Sequence, residues 1–384
     1  MTPAWIPFSR PFRAPHELQY LEEVLASGHT HGDGPFTQRA TDLVRRAVGS
    51  AEALLTGSGT HALELASWLL NLTPGDEVIV PSFTFSTTAA SVVATGATPV
   101  FVDVDPNIAC LDLDAAEAAI TDRTRAVYVV HYRGVACNMA RLTAVAERAG
   151  VAVVEDNAHG LGARWQGRAC GTFGVMAAQS FHATKNVQCG EGGALTINDP
   201  ALAPRAEILR EKGTDRLRFL RGEVDKYTWV DRGSSYLPSE LTAAVLTAQM
   251  EAFDVIQAAR HEIWDTYAAA LSGWADEHGV RLMSPPPDVD HPAHVFYLFA
   301  PSHGTRTEML AHLRGLGVGA TFHYIPLHSS TAGRRFGRTP SPCPVTDDVA
   351  ARIVRLPLWP GMSQDEVERV VDAVRTFVPE RSMA

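Results

Sequence analysis

Three segments of the 384-residue chain carry side chains whose types and spacing could do chemistry. The first is GSGTHA at 57–62, set between an apolar run and a helical pattern, where backbone amides and the positive end of a helix dipole can receive an anion. Gly57 and Gly59 would let a phosphate approach the main chain, and Ser58 and Thr60 add hydroxyls suited to a phosphate monoester. The same spacing satisfies the dinucleotide fingerprint Gly-x-Gly-x-x-Ala, with Asp76 and Glu77 near the distance of a ribose-binding acid, so an NAD-dependent oxidoreductase is a rival reading and a plain tight turn a third. The second segment is VVEDNAHG at 153–160. Asp156 ends a strongly apolar run, where a carboxylate needs a cationic or hydrogen-bonding partner. A pyridinium nitrogen is one candidate, with His159 covering or bonding the same ligand; a helix N-cap aspartate beside a solvated histidine is the other. The third is SFHATKN at 180–186, followed by GEGG at 190–193. Desolvation of Lys185 there would ease loss of its proton, which attack on an aldehyde requires; an exposed loop lysine is the alternative.

Lysine is scarce. Of 33 basic residues only Lys185, Lys212 and Lys226 are lysines, so chemistry that needs an amine must use one of three. Lys212 and Lys226 lie among charged neighbours and read as ion-pairing or anion-binding residues. The 30 arginines fit a GC-rich coding bias, since either cation serves on most solvated surfaces. A net charge of −10 argues against a nucleic-acid partner. Hydrophobic residues at 46% and charged residues at 20%, with no apolar run of membrane-spanning length, argue against disorder and membrane insertion alike. Five cysteines (Cys110, Cys137, Cys170, Cys189 and Cys343) form an odd set without a Cys-x-x-Cys pair, which suits a reducing cytoplasm. The opening MTPAWIPFSRPF has no apolar core of a signal peptide.

The elements that must position these side chains follow from periodicity. Between about 50 and 200 the chain alternates apolar runs with helical stretches, the pattern of an α/β fold with a mostly parallel sheet. The strand candidates are 52–56, 77–81, 99–104, 126–131, 151–156, 176–181 and 193–198. In such sheets ligands sit beyond the carboxyl ends of strands, where all three segments fall. One long helical stretch is expected over 238–271, then a proline-rich loop at 284–294 near a domain boundary. A smaller α+β unit follows, with strands at 295–300 and 318–324 and helices near 305–315 and 363–378. The expected division is a large domain over 1–250, including an N-terminal arm, and a small C-terminal domain over 251–384. FSRPF and GHTHGDGPFT read as loop or arm over a site or partner, and the closing RSMA as a frayed end.

A phosphate loop, a buried carboxylate and a lysine at one sheet edge are what pyridoxal phosphate needs, while a dehydrogenase explains only the first. Phe83 or Phe85, after the strand EVIVP, could stack on the cofactor ring or belong to the core. GSGTHAL, PSFTFSTTA, VEDNAHGLGA, GRACGTFG, SFHATKN and GEGG, in this order, resemble the DegT/StrS family of pyridoxal-phosphate sugar aminotransferases over nearly the whole chain. REKGTDRLRFLRGEVDKYTWVDRGSSYL at 210–237 and FHYIPLH at 322–328 are similar to its branch that aminates C4 of a dTDP-4-keto-6-deoxyhexose.

The resemblance implies fold type I, a homodimer with shared active sites, and L-glutamate as amino donor. It implies Lys185 as the Schiff-base lysine, Asp156 as partner of the pyridine nitrogen, and Gly59, Thr60 and Ser180 at the phosphate. Phe85 would stack on the ring and His159 touch its other side. Many members carry an Asn and an Arg where this chain has Ser235 and Leu237, so Ser235 stands where a partner subunit contributes a phosphate contact. Retention of lysine at 185 implies transamination rather than the dehydration run by histidine-bearing relatives; a non-catalytic cofactor-binding relative is the further alternative. For the nucleotide diphosphate the expected cations are Arg133, Lys212, Lys226, Arg221 and Arg232. His323, Tyr324 and His328 are expected to face the sugar. The two histidines lack a metal-binding spacing, and no metal is expected.

Overall fold

The computed structural model describes residues 4–379, so the expectation for RSMA lies outside the described residues. The seven expected strands all form one sheet: β1 (Glu52–Thr56), β2 (Glu77–Pro81), β3 (Thr98–Val102), β4 (Thr124–Val130), β5 (Ala152–Asp156), β6 (Met176–Ser180) and β7 (Gly193–Ile197). Their spatial order is β1-β7-β6-β5-β4-β2-β3, and only β7 runs antiparallel to its neighbours. Strands buried on both faces are near-continuously apolar, and β2 and β7 have no exposed position; their one charge, Glu77 at the start of β2, is paired.

Helices cover both faces. On one side, α1 (Glu17–Ser27) and α2 (Pro35–Val48) pack with a later helix, α6. On the other, α3 (Gly59–Leu69) buries Ala62, Leu63, Leu65, Ala66 and Leu69, the stripe its sequence spacing foretells. Then come α4 (Ser86–Val93), which starts in the loop after β2, and α5 (Met139–Ala149). The expected long helix divides into α6 (Glu240–Glu251) and α7 (Phe253–His278) at Ala252, whose ψ of 8° leaves the helical region.

Helix α1 falls within the first thirty residues, where the sequence reads as loop or arm; before it the chain is non-helical and bridges Val318 through Ile6. The glycine-rich turn that follows is fixed by a buried carboxylate: Glu240 accepts the amides of Gly34, Phe36 and Thr37, the orphan donors at the start of α2.

A second sheet is built from the C-terminal part: β8 (Arg281–Leu282), β9 (Phe296–Phe299) and β10 (Ile353–Leu356), all antiparallel, with α8 (His303–Gly315) and α9 (Gln364–Arg375) beside it. The strand expected over 318–324 does not form. Its backbone instead makes two isolated bridges, Val318 with Ile6 and Thr321 with Arg355, and the N-terminal arm approaches Gly319 so closely that a built Cβ would lie 2.9 Å from the carbonyl of Ile6 and the nitrogen of Phe8.

At the amino edge of the large sheet Glu77 is buried and held by Arg338 through Nε at 2.8 Å and a terminal nitrogen at 2.6 Å, with Arg123 at 2.7 Å. This fork ties a C-terminal loop to β2. The hydrogen bond from Arg338 is the chief cause that holds the Glu77 carboxyl below its ordinary range.

Candidate active site

One pocket at the carboxyl edge of the sheet gathers the three segments. Gly59, Thr60, Phe85, Asp156, His159, Ser180 and Lys185 line it, and His323, Tyr324 and Arg355 close it from the smaller sheet's side.

Ser58 caps α3 by accepting the amide of His61 at 3.1 Å. The amides of Gly59 and Thr60, in the first turn, have no partner within the helix and are available to an anion. Glycine at 59 is required by proximity, because a Cβ there would lie 2.9 Å from Cβ of Ser180. The helix start and the end of β6 thus form one concave cradle of small residues and hydroxyls, which a phosphate monoester fits.

Asp156 is the last residue of β5 and is buried. Its Oδ2 accepts from the Thr88 hydroxyl at 2.7 Å and its Oδ1 from the Ala158 amide at 3.2 Å. Two donors leave lone pairs of an ionised carboxylate for a protonated ring nitrogen.

Lys185 sits in the closure between β6 and β7. Cross-loop bonds fix this turn: Phe181 N–H to Gly192 O at 2.8 Å, Ala183 N–H to Gly190 O at 2.9 Å and Cys189 N–H to Phe181 O at 2.9 Å. The next residue, Asn186, anchors it outward by donating to Pro292 O at 2.7 Å and bonding His294 Nδ1 at 2.8 Å through its Oδ1. Burial pushes the Lys185 amine down to about 8, with Asp156 opposing and Arg355 reinforcing the shift. A free amine near neutral pH is the nucleophile an aldehyde needs.

His159 faces the pocket as a neutral ring. Its Nδ1 accepts the Arg133 amide at 3.2 Å, so Nε2 carries the proton, and burial foremost holds its acidity far from the charged form. His294 stacks behind it at 4.3 Å. Phe85 is largely exposed and open for stacking, whereas Phe83 belongs to the core.

Other expected contacts fall elsewhere. Arg133 is completely buried with its guanidinium 4.8 Å from the Tyr297 ring and bonded to that hydroxyl, so it cannot meet a diphosphate; only its backbone serves the site. His328 bonds Ser82 Oγ through Nδ1 at 2.7 Å and joins loops rather than facing the pocket. Lys212 pairs with Glu211 at 2.9 Å, and Lys226 and Ser235 are exposed, all outside this chain's pocket. Arg221 is forked onto Glu207 at 3.1 and 2.9 Å, and Arg232 lies 4.9 Å from the Trp68 ring. Phe8 reads only as part of the segment FSRPF, a loop or arm over a site or partner, and sequence reasoning missed Thr88, His294 and Arg355. Only Arg355 left a signal, as the one charge in the apolar run IVRLPLW.

A lysine and a carboxylate meeting across a phosphate cradle at the carboxyl edge of this sheet define a pyridoxal-phosphate-dependent aminotransferase. Residues 12–375 match the DegT/DnrJ/EryC1/StrS aminotransferase family, and the chain belongs to it. The spore coat polysaccharide biosynthesis protein SpsC of Bacillus subtilis (strain 168) is 35% identical over 97% of each chain. DesV of S. venezuelae, solved with a ketimine intermediate, is 34% identical, covers 94% of this chain and 93% of its own, and has a TM-score of 0.85. The PLP form of Spr1654 from Streptococcus pneumoniae is 26% identical, covers 97% and 98%, and has a TM-score of 0.89. Family membership overturns the dehydrogenase reading of GSGTHA. Geometry agrees, since Asp76 pairs with Arg125 at 2.9 Å and Glu77 with Arg338 at the opposite, amino edge of the sheet.

Proposed function

We propose that this chain transfers an amino group from L-glutamate to C4 of a dTDP-4-keto-6-deoxyhexose, giving a dTDP-4-amino-4,6-dideoxyhexose. The observation that carries the transamination is the depressed Lys185 amine facing the same pocket as Asp156. The choice of C4 sugar rests on the segments 210–237 and 322–328, of which His323 and Tyr324 reach the pocket. Retention of Lys185 within it speaks against a non-catalytic relative.

Pyridoxal phosphate supplies an electron sink for the carbon that exchanges its amine. The chain's own residues do the rest. Asp156 keeps the ring nitrogen protonated; Gly59, Thr60 and Ser180 hold the phosphate; Phe85 and His159 confine the ring; Lys185 holds the cofactor and moves the proton at the reacting carbon through its Nζ.

The reading includes a homodimer. Phe219, Leu220, Tyr227, Trp229 and Val230 leave an apolar surface on the segment that also carries Lys212, Lys226 and Ser235, and such a patch calls for a covering surface. Closed onto the partner's pocket, this segment would bring two cations to the diphosphate and a serine to the phosphate. A large and a small domain, over 1–250 and 251–384, go with this reading. The cytoplasmic setting is supported by five thiols with no disulfide among the described residues, and no helix there is long and apolar enough to cross a membrane.

The test is to incubate the pyridoxal-phosphate-loaded enzyme with L-glutamate and dTDP-4-keto-6-deoxyglucose. Formation of 2-oxoglutarate and of a C4-amino sugar, read by NMR, is expected. Amination at C3, or amination only of a sugar without a nucleotide, would overturn the substrate assignment.

A further inference from the structure

Arg355 is a cation of the pocket that no carboxylate among the described residues neutralises. It lies in β10, opposite Tyr297 on β9, with its main chain bonded to Thr321 through N–H at 2.7 Å and C=O at 3.1 Å. It is 6% exposed, yet among the described residues no carboxylate lies within ion-pair distance of it, and its Nε has no partner. A guanidinium in such a place ordinarily has an acidic neighbour, because an unpaired buried charge is strongly unfavourable.

Its two protein contacts orient it without cancelling its charge. One terminal nitrogen donates to Nε2 of His323, which leaves the proton of that ring on Nδ1, 3.2 Å from the Tyr132 hydroxyl. Burial, then Arg355 itself, pushes His323 down to about 2, so the imidazole is a neutral acceptor. The face of the guanidinium rests 4.5 Å from the ring of Phe8. Phe8 is held there because Ile6 bonds Gly317 O at 2.9 Å and accepts from Gly319 N–H at 2.8 Å. With one face covered and one edge given to a histidine, the rest of the donor edge points at the space shared with Lys185 and Asp156.

We propose that Arg355 is a substrate-carboxylate site, and that it receives the α-carboxylate of the amino donor while the donor's amine faces Lys185. The planar donor edge matches a carboxylate in two parallel hydrogen bonds. The cofactor's phosphate has its own cradle at α3, and a keto-sugar with only hydroxyls near its reacting carbon offers no counter-charge. Binding of the anion would also lift the repulsion that Arg355 exerts on the Lys185 amine. The inference rests on the reading of the pocket as an amino-acid-accepting transaminase site.

The two half-reactions separate the possibilities. In the first, pyridoxal-phosphate-loaded enzyme is mixed with L-glutamate alone and the loss of the cofactor's visible band is followed by stopped flow. In the second, enzyme loaded with pyridoxamine phosphate is mixed with the keto-sugar alone. Arg355→Met is expected to weaken the dependence on glutamate about a hundredfold, and to weaken glutarate binding, measured by titration, with it. The second half-reaction, in which no donor carboxylate is bound, should change by a clearly smaller factor than the first, the remaining loss coming through the bond from Arg355 to His323. Arg355→Lys, which keeps the charge and loses the fork, should fall between. L-glutamate α-amide should react with the wild-type enzyme as poorly as glutamate does with Arg355→Met. Circular dichroism and cofactor binding check the fold of each variant, and Arg355→Lys stands in if Arg355→Met does not fold. An unchanged first half-reaction in either variant would overturn the proposal, as would a loss confined to the second, which would place the carboxylate on the acceptor. If wild-type enzyme reacts with no α-amino acid at all, the reading of the site fails, an outcome distinct from an arginine that proves indifferent.

Discussion

The Thr88 hydroxyl donates to Oδ2 of Asp156 at 2.7 Å, and because its proton is spent there, its oxygen accepts from Thr84 at 2.9 Å. Two threonines of the loop and first turn that lead into α4 thus fix the carboxylate at the end of β5. Thr88→Val keeps the volume and removes the donor. We expect an intact fold with turnover lowered about tenfold, from roughly 1.5 kcal/mol of charge-assisted bonding. Steady-state kinetics under saturating substrates check this; an unchanged kcat would mean that Ala158 alone orients Asp156.

Lys185→Ala should still bind pyridoxal phosphate through the cradle at α3 but turn over at background level. Asp156→Asn should fold and lose most of its activity, since a neutral amide no longer holds the ring nitrogen protonated. Wild-type rates in either variant would remove that residue from its assigned role. In the wild type, borohydride should abolish the visible band and leave the cofactor's mass on the peptide that carries Lys185.

The acidity of Lys185 makes a prediction for cofactor-free enzyme. The neutral amine reacts with aldehydes, so the rate of uptake of pyridoxal phosphate should rise with pH and level off above about 8. Asp156 acts to raise that value, so Asp156→Asn should shift the profile toward lower pH. A profile near the ordinary lysine value of about 10.4 would show a solvated amine.

Glu77 makes a prediction for stability. Its carboxyl is held below the value of 4.5 taken for the unfolded chain, chiefly by Arg338. The resulting stabilisation is fully present above that value and is lost as pH falls through the lower, folded one. Glu77→Gln should therefore unfold more easily at pH 7, by about 1–3 kcal/mol, the range between exposed and buried pairs. The gap from wild type should shrink in acid. Thermal or urea melts between pH 3 and pH 7 read it directly; a gap constant with pH would show that packing, not charge, sets the difference.

Arg133→Met should lower stability without altering the nucleotide-sugar KM of the folded fraction, because the guanidinium is enclosed against Tyr297. A raised KM at unchanged melting temperature would restore the residue to the substrate site.

The seven strands of the large sheet were legible because each is a short apolar run bounded by turn residues, and the side chains that follow β1, β5 and β6 were legible because strand order points them to one edge. Arg133 misled because it follows a strand at that same edge, but its backbone takes φ of 58° and turns the side chain inward. Arg355 stands out as a lone charge in an apolar run, yet the sequence does not place it, for the converse reason. Its strand lies in the other sheet, and no local pattern says which pocket a charge on that strand will meet. The bridge from Ile6 to Val318 joins residues at opposite ends of the chain, and such pairings leave no periodic trace.

The closure that carries Lys185 joins adjacent antiparallel strands, the one such connection in the large sheet, whereas Arg355 reaches the pocket from 170 residues further along and Phe8 from slightly farther before it. Hairpin contacts are local and quick to form, while the others wait on closure of the longest loops in the molecule. Without burial the amine would keep the ordinary lysine acidity of about 10.4 and be mostly protonated at neutral pH. The pocket whose burial lowers that amine to about 8 is walled by residues from both ends of the chain, so an amine reactive near neutral pH reports a closed pocket.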